Sequence, residues 1–326
     1  MRRASVRLRP VGGLAILAVL VWRVGGDAFL TALGRIHLAP LALAAAIVAL
    51  TTVLGAWRWV LVARALGTRL RLGDAVAECY RSQLLNVTLP GGVLGDVNRG
   101  VRHGNGTDDL ARGLRGVVWE RTAGQVVLVV VATGVLLVEP SRALLAPTVV
   151  GVALLAVASV GLLVVLFLLP TRSRRGEPTR LGRAARTALG DVRAGLHDRH
   201  TSAGVLVASL LVVAGHVGTF VLAARTAGVT APTGRLVPLA LVALVAMGLP
   251  LNVAGWGPRE GVAAWSFGVA GLGAGAGVTT AVVYGVMTLV AVLPGLVLLV
   301  APARWPWARW TSARRVAAAH EGGARG

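Results

Sequence analysis

The chain has 326 residues, of which 56% are hydrophobic and only 14% charged, and its mean hydropathy is +0.75. Soluble domains carry about 25% charged residues, so this composition excludes an ordinary soluble protein and predicts an all-α polytopic membrane protein. All 33 cationic side chains are arginine against 13 acids, a net charge of +20. The arginines gather in tails and in loops beside apolar runs, as the positive-inside bias expects. No nucleic-acid-binding motif accompanies them, which excludes nucleic acid as the partner. A single cysteine, Cys79, excludes an intramolecular disulfide and a thiolate metal cluster.

A helix that crosses a membrane needs about 20 apolar residues, and the uncharged runs can be read against that length. Residues 1–10, with Arg2, Arg3, Arg7 and Arg9, form a cytoplasmic N-terminus. An uncleaved first crossing follows over 11–28, since no small-x-small cleavage site precedes the next charges. The second crossing is 38–62, and Trp57-Arg58-Trp59 near its end reads as an interfacial anchor. The uncharged run 82–95 has only 14 residues and ends in proline and glycine, so it is too short to cross. Arg64, Arg69 and Arg71 precede it and Arg102, Arg112 and Arg115 follow, which predicts a re-entrant hairpin over 74–103 that enters and leaves on one face. Gly104 to Gly113 is then a short cytoplasmic loop.

The third crossing, 117–138, carries Glu120-Arg121 on its first turn, and 144–169 is the fourth. The Arg-rich stretch 170–201 is the strongest orientation signal and reads as a cytoplasmic loop. The fifth crossing is 204–224; His216 inside it reads as a histidine satisfied by a neighbouring helix. From 261 to 303 no residue is charged, and 43 residues in one helix would run ~65 Å, twice the hydrocarbon thickness. The run must break, and the glycines of 268–277 mark the place. They form no dinucleotide loop, since no strand precedes them. A second re-entrant hairpin is therefore expected over 236–275, although 236–254 alone is long enough to span, and the last crossing over 278–300. The tail, 303–326, alternates Trp305, Trp307 and Trp310 with Arg304 and Arg309 and reads as cytoplasmic and interfacially anchored.

Two segments break the apolar pattern. Leu89-Pro90-Gly91-Gly92-Val93-Leu94-Gly95-Asp96-Val97-Asn98-Arg99 returns 160 positions later as Leu249-Pro250-Leu251-Asn252-Val253-Ala254-Gly255-Trp256-Gly257-Pro258-Arg259-Glu260. They share Leu-Pro-x-x-Val-x-Gly-x-x-x-Arg, which divides the chain into a first membrane repeat over 11–143 and a second over 144–302. Counting crossings between the arginine-rich loops turns the second repeat upside down. The expectation is about six full crossings plus two re-entrant hairpins in an inverted-topology repeat, with both termini cytoplasmic, in the cell (inner) membrane. Broken helices meeting at such a repeat are a transporter signature.

Charges at membrane depth cost about 2.5–3.5 kcal/mol each on insertion scales, so Asp96, Arg99, Arg259 and Glu260 should pair or face water. Backbone freed at Pro90, Gly91, Gly92, Gly95, Pro250, Gly255 and Gly257 leaves N–H groups at half-helix N-termini that attract anions. Arg99 and Arg259 add planar donors suited to phosphate, giving a clamp for an anionic head group. Asn86, Glu120 and Arg121 complete the candidate substrate-binding set, and Asp96 and Glu260 either orient the arginines or take a proton.

Asn86 through Leu89-Pro90-Gly91-Gly92, Gly95-Asp96-x-x-Arg99, Glu120-Arg121-x-x-Gly124, and Pro250 with Gly255-x-Gly257-x-Arg259-Glu260 resemble the lysylphosphatidylglycerol synthase transmembrane-region family, the flippase-like domain of MprF proteins. The likeness runs from about residue 10 to residue 302. It implies movement of an anionic or zwitterionic lipid between leaflets: a phospholipid, an aminoacyl-phosphatidylglycerol or a polyprenyl-phosphate-linked sugar. It does not imply lysyl transfer, because members with that activity carry a large soluble acyltransferase-like domain that is not expected in this chain.

The expected function is thus a lipid transporter and not an enzyme, with membrane lipids as partners and no cofactor or metal. No Gly-x-x-x-x-Gly-Lys loop is present, so transport is downhill or ion-coupled. One alternative is a non-transporting scaffold for a separately encoded lipid-modifying enzyme, favoured by the basic loop 170–201. Another is a transferase acting on polyprenyl phosphate with Asp96 or Glu260 as base, against which the lack of an aspartate-rich Mg²⁺ motif speaks.

Overall fold

The computed structural model describes residues 34, 37–89, 92–107, 109–138, 190, 198–248 and 258–300. Among these lie nine α-helices and no strand: α1 (Leu38–Ala65), α2 (Leu72–Thr88), α3 (Leu94–Gly106), α4 (Leu110–Val138), α5 (Arg199–Thr226), α6 (Thr233–Met247), α7 (Pro258–Val269), α8 (Ala274–Val292) and α9 (Pro294–Val300). The expected crossings at 11–28 and 144–169, nearly all of the loop 170–201, both tails, and Pro90, Gly91, Pro250, Gly255 and Gly257 lie outside the described residues.

Four helices, α1, α4, α5 and α8, with 28, 29, 28 and 19 residues, are long and apolar enough to cross a membrane. Their outer faces carry exposed Leu43, Leu50, Leu137, Leu206 and Leu211. Such a girdle is unfavourable in water and suited to acyl chains, and the chain is an integral membrane protein. The helices between them are shorter. At 1.5 Å per residue the 15 residues of α6 reach only about 22 Å, against a hydrocarbon core of about 30 Å.

Local sequence explains the ends. Pro40 sits in the first turn of α1, where its missing N–H leaves no bond unmade. Gly67, at φ 77°, closes α1 in the left-handed region, and the Thr68 N–H reaches back to the Ala63 carbonyl at 2.9 Å. Gly228, at φ 92°, closes α5 in the same way, with the Val229 N–H on the Ala224 carbonyl at 2.9 Å. At its start α5 is capped by Asp198, whose carboxylate accepts from the His200 and Thr201 amides. The long uncharged run does break: α7 stops at Val269 and α8 starts at Ala274, across Gly271 and Gly273 at φ 73° and 89°. The first motif breaks likewise between Thr88 and Leu94, with Gly92 at φ 62°.

The element order repeats. Helix α5 begins and ends 161 residues after α1 (38 to 199, 65 to 226), and α6 begins 161 residues after α2 (72 to 233). Neighbours repeat as well. α1 packs along α5, and the pairs α1 with α2, α1 with α4, α1 with α8, α2 with α3, α3 with α4, and α4 with α6 have the counterparts α5 with α6, α5 with α8, α5 with α4, α6 with α7, α7 with α8, and α8 with α2. Among the described residues one buried cluster forms around Phe220, Phe267 and Tyr284 in the second half and another around Trp59, Cys79 and Val117 in the first, and two more join the halves, around Leu136 with Leu241 and around Leu84 with Val292.

Candidate functional site

The first motif places Asp96 and Arg99 one turn apart on α3, where residues three apart share a face. Both turn towards α4, which presents Glu120 and Arg121. The Arg99 guanidinium donates to Glu120 Oε2 at 2.9 Å and to Asp96 Oδ1 at 3.2 Å, and Arg121 donates to the same Asp96 oxygen at 2.8 Å. Arg58 of α1 completes the cluster, donating from Nε to Glu120 Oε1 at 3.0 Å and from its terminal nitrogen to Ser209 Oγ of α5 at 3.0 Å. Arg99 also lies 4.5 Å from the centre of the Trp59 ring and donates to Cys79 Sγ at 3.1 Å. On α2, Ser82 and Asn86 donate to the two oxygens of Asp96 at 2.8 and 3.0 Å. The Asn86 side-chain Oδ1 accepts the Gly95 N–H at 2.8 Å. This amide at the start of α3 is thus satisfied by the protein itself.

Two glycines make these approaches possible. A Cβ on Gly95 would collide with the Ser82 carbonyl and stand 2.7 Å from Asn86 Oδ1; a Cβ on Gly124 would stand 2.7 Å from the Arg58 guanidinium. The spacing Glu120-Arg121-x-x-Gly124 therefore puts the carboxylate that binds Arg58 and the gap that admits it one turn apart.

The second half is chemically simpler. Arg259 pairs with the adjacent Glu260, its Nε donating to Oε1 at 2.9 Å, and lies 5.3 Å from the centre of the Tyr284 ring on α8. The Tyr284 hydroxyl is 3.1 Å from His216 Nδ1 on α5, so His216 is satisfied by a neighbouring helix, as its sequence context suggests.

Between the two halves lies a cavity of about 320 Å³. Arg58, Gln83, Asn86, Arg121, Gln125, His216, Arg259 and Tyr284 supply its polar surface, and Val212, Leu244, Met247, Leu289 and Val292 are prominent on its apolar surface. No Asp or Glu is among the described residues that line it. Of the residues singled out from sequence, Asn86, Gly92, Arg121 and Arg259 line the cavity; Gly95, Asp96, Arg99, Glu120 and Glu260 do not. Arg99 is 2% exposed and held by two carboxylates. Arg58 is corrected: it is no interfacial anchor but a buried cation, 5% exposed, beside a fully buried Trp59. A charge two turns inside the helix end, ahead of Arg64, was the signal that could have identified it. Gln125, a polar side chain within the apolar helix α4, could have been found in the same way.

The fold and the charge cluster can be set beside known proteins. No curated protein and no solved structure matches this chain. The family model described as "Lysylphosphatidylglycerol synthase TM region" matches residues 11–295, which takes in α1 to α8, the Arg58–Asp96–Arg99–Glu120–Arg121 cluster and Arg259. With most of its length matched, the chain belongs to the lysylphosphatidylglycerol synthase transmembrane-region family.

Proposed function

We propose that this protein is a flippase-like lipid transporter of the cell (inner) membrane, which binds an anionic or zwitterionic lipid head group in the cavity between its halves and moves it between leaflets. The observation that carries the reading is the cavity's mixed lining, in which three arginines and three amide side chains stand together with aliphatic side chains. A polar metabolite has no use for the aliphatic side chains, and a hydrocarbon none for the arginines; an amphiphile uses both. The repeated helix order and repeated packing partners support an inverted repeat of about six crossings. In it α2–α3 and α6–α7 are hairpins that enter and leave on one face, and both termini are cytoplasmic. Such repeats place their ligand near mid-membrane between the halves, and Arg58, Arg121 and Arg259 line one cavity between the two halves of this chain.

Within this reading Arg121 and Arg259 contact the head group directly. Arg99, Asp96 and Glu120 hold the cavity wall in place, and Glu260 orients Arg259. The natural ligands are membrane lipids, with a separately encoded lipid-modifying enzyme as a further partner. Reconstitution into liposomes tests it: the protein should speed the loss of leaflet asymmetry of a fluorescent phospholipid, and Arg121→Gln with Arg259→Gln should reduce that rate about tenfold or more. An unchanged rate in the double variant would remove both arginines from the transport path.

A further inference from the structure

The seam along which the two halves meet resists sliding and permits rotation, and what this implies for movement rests on the transport reading. Helix α1 belongs to the first half and α5 to the second, and they form the most extensive helix pairing among the described residues. Their side chains interlock along the whole length. Near one end Leu61 fills the gap at Gly204, where a Cβ would stand 2.8 Å from Leu61 Cδ1. Next, the buried Arg58 donates to Ser209 Oγ at 3.0 Å. Thr51 then fills the gap at Gly215, where a Cβ would collide with the threonine methyl group. At the far end Ala44 is buried with Phe220, Ala223 and Ala224. At 1.5 Å per residue the seam from Gly204 to Ala224 climbs about 30 Å, the depth of the hydrocarbon core. Apart from α4 and α8, which each pack against both members of the seam, the halves meet at α4 with α6 and at α2 with α8 and α9. Helices α2, α4, α6 and α8 all line the cavity.

We propose that α1 and α5 form a fixed spine and serve as the hinge on which the halves rock, so that the cavity's walls at α4–α6 and α2–α8 part and close while the spine stays together. Sliding α5 along α1 by one turn, about 5.4 Å, would drive Thr51 and Leu61 out of their gaps at once and take from Arg58 the hydroxyl that it binds. Pulling the helices apart would open voids along a close-packed contact, which packed interiors resist. Rotation about the seam disturbs these contacts least, because displacement grows with distance from the axis. The space that such a rotation needs is present where the walls face each other, in the cavity of about 320 Å³. Arg58 pins the arrangement: it bonds Glu120 of α4 and Ser209 of α5, and so ties the first half's charge cluster to the axis.

The spine can be locked by a bond of no added length. Thr51 Cβ stands 3.8 Å from where a Cβ on Gly215 would lie, and a disulfide spans about 3.5–4.5 Å between its Cβ atoms. In the full chain on a Cys79→Ser background, Thr51→Cys with Gly215→Cys should oxidise to a disulfide. The oxidised protein should move a fluorescent phospholipid in liposomes at the rate of its reduced form, whereas a bridge between α4 and α6 should stop movement. Loss of movement on oxidation, restored by reduction, would mean that the seam has to slide or part; the spine would fall and the transport reading would stand. A pair that does not oxidise would show that the helices lie further apart, and would also overturn it. Spin labels give a reading that does not depend on transport. Leu38→Cys with Arg199→Cys places them at exposed positions at opposite ends of the spine, and Val138→Cys with Val269→Cys at exposed ends of α4 and α7, in different halves. The spine pair should show the narrower distance distribution, and equal or greater breadth there would sink the hinge. If neither the unaltered protein nor the reduced variant moves lipid, the transport reading falls and the spin-label widths alone decide the spine.

Discussion

Glu120 is the residue on which the first half's charges depend. It is 2% exposed and accepts from Arg58 and Arg99, while Asp96 accepts from Arg99 and Arg121. A buried ion pair contributes little over an apolar replacement of both partners, yet removing one member strands the other, at about 3–5 kcal/mol. Glu120→Gln keeps the shape and removes the charge, so two guanidiniums lose their common anion. The protein should lose stability by roughly that amount, read as a clear drop in melting temperature in detergent. Glu120→Asp, which keeps the charge at shorter reach, should lose less. The motif Glu120-Arg121-x-x-Gly124 was legible in the sequence; that Glu120 serves Arg58 was not, because the two are 62 positions apart and only the packing of α1 on α4 joins them.

At the scale of elements, clusters of proline and glycine mark where helices stop, whereas single ones such as Pro238 and Gly124 sit inside α6 and α4. The breaks at 89–93 and 270–273 fall where those residues cluster, since glycine alone adopts positive φ without strain. Length then separates the helices: 28 or 29 residues in α1, α4 and α5 exceed a hydrocarbon core, while α2 and α3 have only 17 and 13. On the re-entrant reading, cysteines placed singly at Arg69 and Thr107, on a Cys79→Ser background, should react with a membrane-impermeant maleimide from the same side of sealed vesicles. Labelling from opposite sides would mean that α2 and α3 together cross, and the hairpin account would fail.

For the whole molecule the question is what must move. Gln125 of α4 abuts Gly248 at the end of α6, so close that a Cβ there would stand 2.7 Å from Gln125 Oε1. The two residues belong to different halves and both line the cavity. If transport requires one half to rock against the other, bridging them should stop it. A Gln125→Cys, Gly248→Cys pair on the Cys79→Ser background, linked by a short bis-thiosulfonate, should lose lipid movement in liposomes and regain it on reduction. Undiminished movement in the bridged protein would place the moving part elsewhere.

Composition and run lengths were enough to determine a helical membrane protein and the breaks in its apolar runs, because hydrophobic burial and backbone breaking are local properties of the chain; the family was legible only as a resemblance, carried by motifs such as Gly95-Asp96-x-x-Arg99 and Glu120-Arg121-x-x-Gly124 in order. Which charge meets which is not local. Sequence marked Arg99 and Arg259 as equivalents; the tertiary structure buries Arg99 against Glu120 and Asp96 while Arg121 and Arg259 line the cavity. That division was decided by the packing of α1, α3 and α4, since a buried guanidinium goes wherever unrelated stretches of chain bring it a carboxylate.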